Sequence, residues 1–109
     1  MAATVVVSIG RNVGRPEDEA RLGASLDDEQ WTLFKYAVAD AIFIRSGGRV
    51  HFEGEGTGYF EGTSERSFTI VATVENPVGL YHDLAELAPR FGQQSIALTT
   101  GNTAFPGGE

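Results

Sequence analysis

Three residues of one short segment have the types and the spacing that could do chemistry: His51, Glu53 and Glu55. Residues two apart on a β-strand share a face, so the spacing predicts an imidazole and two carboxylates in a row. Such a set could bind a divalent metal ion or transfer a proton. Neighbours on one strand face are roughly 6 to 7 Å apart, so one ion seldom reaches three of them, and an ordinary solvent-facing strand gives the same pattern. We therefore predict no metal site and keep His51 and Glu53 as candidate catalytic residues.

Hydroxyl side chains are the other candidate reactive groups, among them Ser8, Ser67, Thr69 and Thr99. A hydroxyl nucleophile needs a base within reach and an oxyanion hole. His51 is the base that could share a sheet face with these hydroxyls, and no motif pairs it with one of them. In an enzyme built this way, Arg11 or Arg15 would hold an anionic substrate close to His51.

Glycines recur at every second position in the segment Gly54, Gly56 and Gly58, which resembles a phosphate-binding loop only superficially. Phosphate-binding loops lead directly into a helix N-terminus, which supplies amide donors and a favourable dipole. Here Tyr59 and Phe60 predict a strand instead. The glycines therefore predict bulges or a sharp bend in a hairpin, and we predict no bound cofactor.

Composition restricts the possible functions further. With 109 residues, of which 41% are hydrophobic, the chain is long enough for one domain with its own core. The absence of cysteine excludes disulfides, thiolate zinc sites and cysteine nucleophiles. A net charge of -7 disfavours binding to nucleic acids or anionic membranes and is typical of a soluble surface or, alternatively, of one that binds a basic partner. Without an export signal or an apolar run of about 18 residues, we predict a cytoplasmic protein.

The clearest strand signal is residues 65–75, ERSFTIVATVE, in which bulky and small hydroxylic side chains alternate. Residues 3–10 alternate in the same way and predict the first strand. Between the first strand and the first helix, residues 11–24 contain glycine, proline and charges without an apolar period, which predicts a long loop.

Capping residues locate the first helix. Either Ser25 with Asp28 or Asp27 with Gln30 could form its capping box, and the glycines that follow Arg45 predict its end. Its apolar stripe contains Trp31, Phe34, Val38 and Ile42. Because the tryptophan lies on this stripe, we predict that it belongs to the core.

The second half of the chain predicts two more strands and a helix. After Arg49, Val50 and Phe52 alternate with His51 and Glu53, which predicts a strand with the two apolar side chains inward. The segment 54–65 predicts the following hairpin. Asn76 and Pro77 predict the start of the second helix, and Pro89 predicts its end near Ala88. Residues 95–100 predict the last strand, and residues 101–109 predict a tail.

The order strand, helix, strand, strand, helix, strand predicts an α+β domain of the ferredoxin-like type. It has a four-stranded antiparallel sheet, two helices on one face, and the first strand and residues 65–75 in the middle. We predict that the helices bury Val5, Val7, Ile9, Phe68, Ile70, Val74, Ile96 and Leu98. The opposite face, called the open face below, is predicted to contain Val6, Ser8, His51, Glu53, Ser67, Thr69, Val71, Thr73, Ala97 and Thr99.

Several segments also resemble an uncharacterised bacterial domain family of unknown function. They are the GRN turn after the first strand, DDEQW, GEGTGYFEG, SERSFTIVATV and RFGQQSIAL, and together they extend over most of the chain. The resemblance implies a ferredoxin-like α+β fold. It implies no activity, cofactor or catalytic residue, and the lack of an export signal differs from the usual member.

The open face is the most informative surface for function. Small hydroxylic and β-branched side chains over two central strands are typical of a partner interface or a shallow ligand pocket. We predict a small, non-enzymatic binding or regulatory domain that forms a homodimer through this face. The alternatives are a small enzyme with His51 as acid or base, and an acidic mimic that occupies a basic site on a partner protein.

Overall fold

The computed structural model describes residues 2–11, 26–60, 63–93 and 96–101. Its elements are β1 (Ala3–Gly10), α1 (Asp28–Ser46), β2 (Val50–Phe60), β3 (Thr63–Val74), α2 (Pro77–Leu87), a short 3-10 helix (Ala88–Phe91) and β4 (Ala97–Gly101). This arrangement confirms the predicted α+β fold and is consistent with a ferredoxin-like domain. The predicted loop beyond Arg11, the alternative cap at Ser25 and the tail beyond Gly101 lie outside the described residues.

The four strands form one antiparallel sheet in the order β2-β3-β1-β4. β1 and β3 are therefore the central strands, as their apolar alternation predicts. Val7 lies opposite Ile70 on the face towards the helices, and Val6 lies opposite Val71 on the open face. Along each of these strands, alternate residues thus belong to the core and to the open face.

Side-chain caps begin both helices. The Asp27 carboxylate accepts a 2.8 Å hydrogen bond from the Gln30 backbone amide. In return, the Gln30 side-chain oxygen accepts a hydrogen bond from the Asp27 backbone amide. Gly47, with φ of +61°, ends α1 in the left-handed conformation that favours glycine. Asn76 caps α2 through the Gly79 amide at 2.9 Å, and the regular helix ends one residue earlier than predicted.

The core lies between the helices and one face of the sheet. Of the eight residues predicted to be buried by the helices, five are buried and three are partly buried against them. The buried ones are Val5, Val7, Ile9, Ile70 and Val74, and the partly buried ones are Phe68, Ile96 and Leu98. Trp31 is only 3% exposed, which confirms its place in the core. Phe34 is fully buried and stacks on Phe91 with 4.8 Å between ring centroids.

The hairpin differs from the prediction. β2 continues through Gly54, Gly56 and Gly58 to Phe60, and its pairing with β3 is regular from Phe52 onwards. The prediction that these glycines form bulges or a bend is therefore wrong. The irregularity in the pairing lies earlier, between Val50 and Phe52. In the described part of the chain, neither helix is long and apolar enough to span a membrane.

Candidate binding face of the sheet

A β-bulge at His51 decides which side chains of β2 reach each face. Val50 lies opposite Ala72 and Phe52 lies opposite Val71, so His51 is an extra residue on its strand. The parity of β2 reverses at this point. Phe52 therefore lies on the open face, where 56% of it is exposed, and its predicted core position is wrong.

The same bulge separates the three residues that suggested chemistry. His51 remains on the open face, where its Nε2 atom lies 2.7 Å from Thr73 Oγ1. Glu53 lies opposite Ile70 and Glu55 opposite Phe68, both on the side of the sheet that faces the helices. The prediction that His51 shares a face with the two glutamates is therefore wrong. Among the residues that the structure describes, no three His, Asp or Glu side chains are grouped to hold a metal ion.

Glu55 instead joins the edge strand to α1. Its carboxylate accepts a hydrogen bond from Lys35, and Arg66 Nη2 lies 3.8 Å away. These contacts, that with Lys35 first, lower the pKa of Glu55 below its ordinary value. The buried Trp31 indole N–H has no hydrogen bond of normal geometry, but it is close enough to this carboxylate to lower the pKa a little further. The Lys35 ammonium also lies 5.4 Å from the centroid of the Trp31 ring. These contacts connect β2 to α1, so their role is structural.

Arg11 also has a structural role in these contacts. Its Nε donates a 2.7 Å hydrogen bond to the Leu26 carbonyl, and its Nη2 lies 2.7 Å from Asp28 Oδ1. The Arg11 amide bonds the Arg66 carbonyl, seven positions along β3 from the Thr73 that contacts His51. Seven positions of a strand span roughly 23 Å. The structure therefore does not bring Arg11 to His51, and Arg15 lies outside the described residues.

The other predicted members of the open face lie where the alternation places them: Val6, Ser8, Ser67, Thr69, Val71, Thr73, Ala97 and Thr99. Phe52, Val71, Val6 and Thr99 lie side by side across the four strands. We call Phe52, Val71 and Val6 the apolar row. One step along the sheet, the Ser8 and Thr69 hydroxyls lie 3.1 Å apart and satisfy each other.

Gly54 allows the Phe52 ring to lie along the sheet. A Cβ atom at Gly54 would be 2.8 Å from the ring, closer than such contacts normally come. The alternation of the sequence could not reveal that Phe52 reaches this face, because a bulge changes the parity without a signal in the apolar pattern. A glycine two residues after an aromatic residue on an edge strand is the one local hint.

The open face carries little charge for a chain with a net charge of -7. Of the side chains described on it, those of His51 and Glu65 are the ionisable ones. The described carboxylates lie mainly on the helices and on the helix side of the hairpin. Depletion of charge around an aromatic residue is typical of the centre of a protein interface.

No protein-family model, curated protein or solved structure matches this chain significantly. What can be inferred about its class therefore rests on the fold, an α+β domain consistent with a ferredoxin-like arrangement. The resemblance to an uncharacterised bacterial family stays a prediction.

Proposed function

We propose that this protein is a small binding domain that forms a homodimer through the open face of its sheet. The observation that carries the proposal is the apolar row. Phe52 is 56% exposed and Val6 is 37% exposed, on a face that no described helix covers. A large exposed aromatic side chain buries much apolar surface when a flat contact covers it.

The charge distribution supports a second copy as the partner. Two chains with a charge of -7 repel each other, and this repulsion is weakest where the facing surfaces are neutral. The apolar row contains no charge, and His51 and Glu65 lie outside it. A two-fold axis through the row would place the same residues of both copies in contact, as an isologous interface requires.

The face is small for a stable interface. Four strands about 4.8 Å apart, with about six residues each at about 3.3 Å, give roughly 400 Å² in projection. Stable interfaces of standard size bury roughly 800 Å² on each partner. We therefore expect a reversible dimer with a dissociation constant of roughly 1 to 100 μM.

Light scattering and sedimentation across this concentration range test the proposal. The wild type should change from monomer to dimer, and Val71→Asp should remain monomeric because the carboxylate would be desolvated in the contact. Val78→Asp is the matched control. Val78 is exposed in the first turn of α2, where an acid favours the helix, so this variant should dimerise normally.

A wild type that stays monomeric at several hundred micromolar would contradict the proposal, and so would a Val71→Asp dimer of unchanged affinity. Since Val71 is half-buried, Phe52→Ser gives a second test at a more exposed position. It should also be monomeric while its unfolding midpoint in urea stays close to that of the wild type.

The two other predicted functions have less support from the described residues. For an enzyme centred on His51, the predicted substrate-binding Arg11 lies at the other end of β3, and Arg15 lies outside the described residues. A mimic of an acidic ligand needs clustered free acids. Several described carboxylates are instead paired with separate cations, as in Arg45–Asp83 and Arg49–Glu75.

A further inference from the structure

Helix α1 is apolar on two flanks, and the sheet covers one of them. Trp31, Phe34, Val38 and Ile42 are buried. On the flank towards β2, Leu33, Tyr36 and Phe43 are 53%, 70% and 59% exposed. A helix that is apolar on both flanks is normally covered on both. We call Leu33, Tyr36 and Phe43 the outer stripe of α1.

A groove of about 560 Å³ lies between the outer stripe and the edge of the sheet. Val50 and Ile70 contribute its apolar floor, Asp40 lies on its helix wall and Glu53 on its strand wall. Neither carboxylate has an ion-pair partner in the described part of the chain, whereas Glu55 nearby is paired with Lys35 and Arg66. The groove is thus apolar with two free negative charges.

The sheet itself ends at this groove. β2 pairs with β3 on one side, and no described strand pairs with its other side. The outer backbone amides and carbonyls of an edge strand can pair with an added strand. A strand added about 4.8 Å beyond β2 would lie beside the outer stripe, because Leu33, Tyr36 and Phe43 line the same groove as Val50 and Glu53 of β2.

The charges exclude a second copy as a good occupant. β2 carries Glu53 on its helix side, without an ion-pair partner among the described residues, so pairing of two β2 strands would bring a second unpaired Glu53 to the groove. Like charges that face each other across strands are destabilising. An occupant with basic side chains on that side would neutralise Glu53 and Asp40.

We propose that this groove binds an extended peptide segment of a partner protein, added to β2 as a fifth strand. The segment carries Lys or Arg opposite Glu53 and Asp40. On the same face of the added strand, the flanking residues are apolar and pack against the outer stripe. Backbone pairing supplies affinity, and two central basic residues flanked by apolar residues on the groove face supply specificity. The proposal is independent of the dimer, since it uses the edge and the helix side of the sheet.

A fluorescent, end-blocked nonapeptide provides the probe, with Thr at odd positions and Val, Lys, Lys, Val at even positions. Its binding to the full-length protein is followed by fluorescence anisotropy. We expect saturable binding in the micromolar range. A peptide with Glu in place of both Lys should bind at least tenfold more weakly, and so should one with N-methyl groups at alternate residues, which removes strand donors but keeps every side chain.

The variant Glu53→Lys should weaken binding of the lysine peptide about tenfold or more and allow the glutamate peptide to bind. Glu86→Lys is the matched control, because it makes the same change in net charge at an exposed position of α2 outside the groove. Equal effects of the two variants would overturn the proposal in favour of nonspecific attraction. Undiminished binding of the N-methylated peptide, or no binding of the lysine peptide at millimolar concentration, would also overturn it.

Discussion

The open face and the groove beside α1 both expose large apolar side chains, but they differ in charge. The apolar row of Phe52, Val71 and Val6 contains no ionisable group, whereas the groove places Asp40 and Glu53 against apolar walls. A neutral apolar face can meet its own copy without repulsion, and an acidic groove favours a basic partner. One small domain can thus present two surfaces with different partners, because the residues that alternate along β2 point to opposite sides of the sheet.

The largest effect is expected from a change that removes both surfaces together. Phe34 is fully buried beneath them and contacts the Trp31 and Phe91 rings. Phe34→Ala should lower the free energy of unfolding by about 3 to 5 kcal/mol, since it leaves a cavity in the core. Urea denaturation measures this loss. Its neighbour Leu33 lies on the exposed flank, so Leu33→Ala should change the same free energy by less than about 1 kcal/mol.

A smaller effect separates the two surfaces. Phe52→Ala should weaken dimerisation roughly 10- to 100-fold, because the substitution occurs on both copies and truncates the largest apolar side chain of the apolar row. The same variant should bind the lysine peptide like the wild type. Phe43→Ala should show the reverse pattern, and the comparison would fail if either variant changed both measurements equally.

Salt should distinguish the surfaces by their charge. Raising sodium chloride from 50 to 500 mM should weaken binding of the lysine peptide about fivefold, because it screens the contacts with Asp40 and Glu53. Dimerisation should stay constant or tighten slightly, since salt also screens the repulsion between two acidic chains. Sedimentation and anisotropy at both salt concentrations provide the measurement. Parallel weakening of both processes would contradict the assignment of a neutral interface.

The smallest effect concerns an ion pair between the helices, away from both surfaces. Arg45 Nε donates a 2.7 Å hydrogen bond to Asp83 Oδ2, and this contact lowers the pKa of Asp83 below its ordinary value. A lowered folded-state pKa stabilises the fold above the unfolded-state pKa of about 3.9, and the contribution disappears as the pH falls through the lower folded-state value.

Asp83→Asn should therefore be slightly less stable than the wild type at pH 7, with the difference shrinking towards zero below about pH 3.9. Both side chains are about one third exposed, so the difference should be small. Urea denaturation at several pH values measures it. A difference that grows as the pH falls would contradict this origin.

Local sequence patterns determined much of the fold. The alternation in β1 and β3 identified the central strands and their buried residues, because a side chain on a central strand has a helix on one side and none on the other. Asp27 with Gln30 and Asn76 with Pro77 located the helix starts, since capping needs only residues adjacent in the chain. Of the candidate site, the members on β1, β3 and β4 followed from the same alternation.

Only the tertiary structure decided the faces of β2. The bulge at His51 arises where the edge strand pairs with β3, whereas the alternation of Val50 and Phe52 with His51 and Glu53 predicted a regular strand with Phe52 inward. Because of that one extra residue, Phe52 and not Glu53 lies on the open face. The same residue brings Glu55 to Lys35 and Glu53 to the groove beside α1. The sequence by itself determined which strands exist and which are central. The pairing between strands decided which side chains lie on each face of the sheet, because register depends on contacts between residues far apart in the chain.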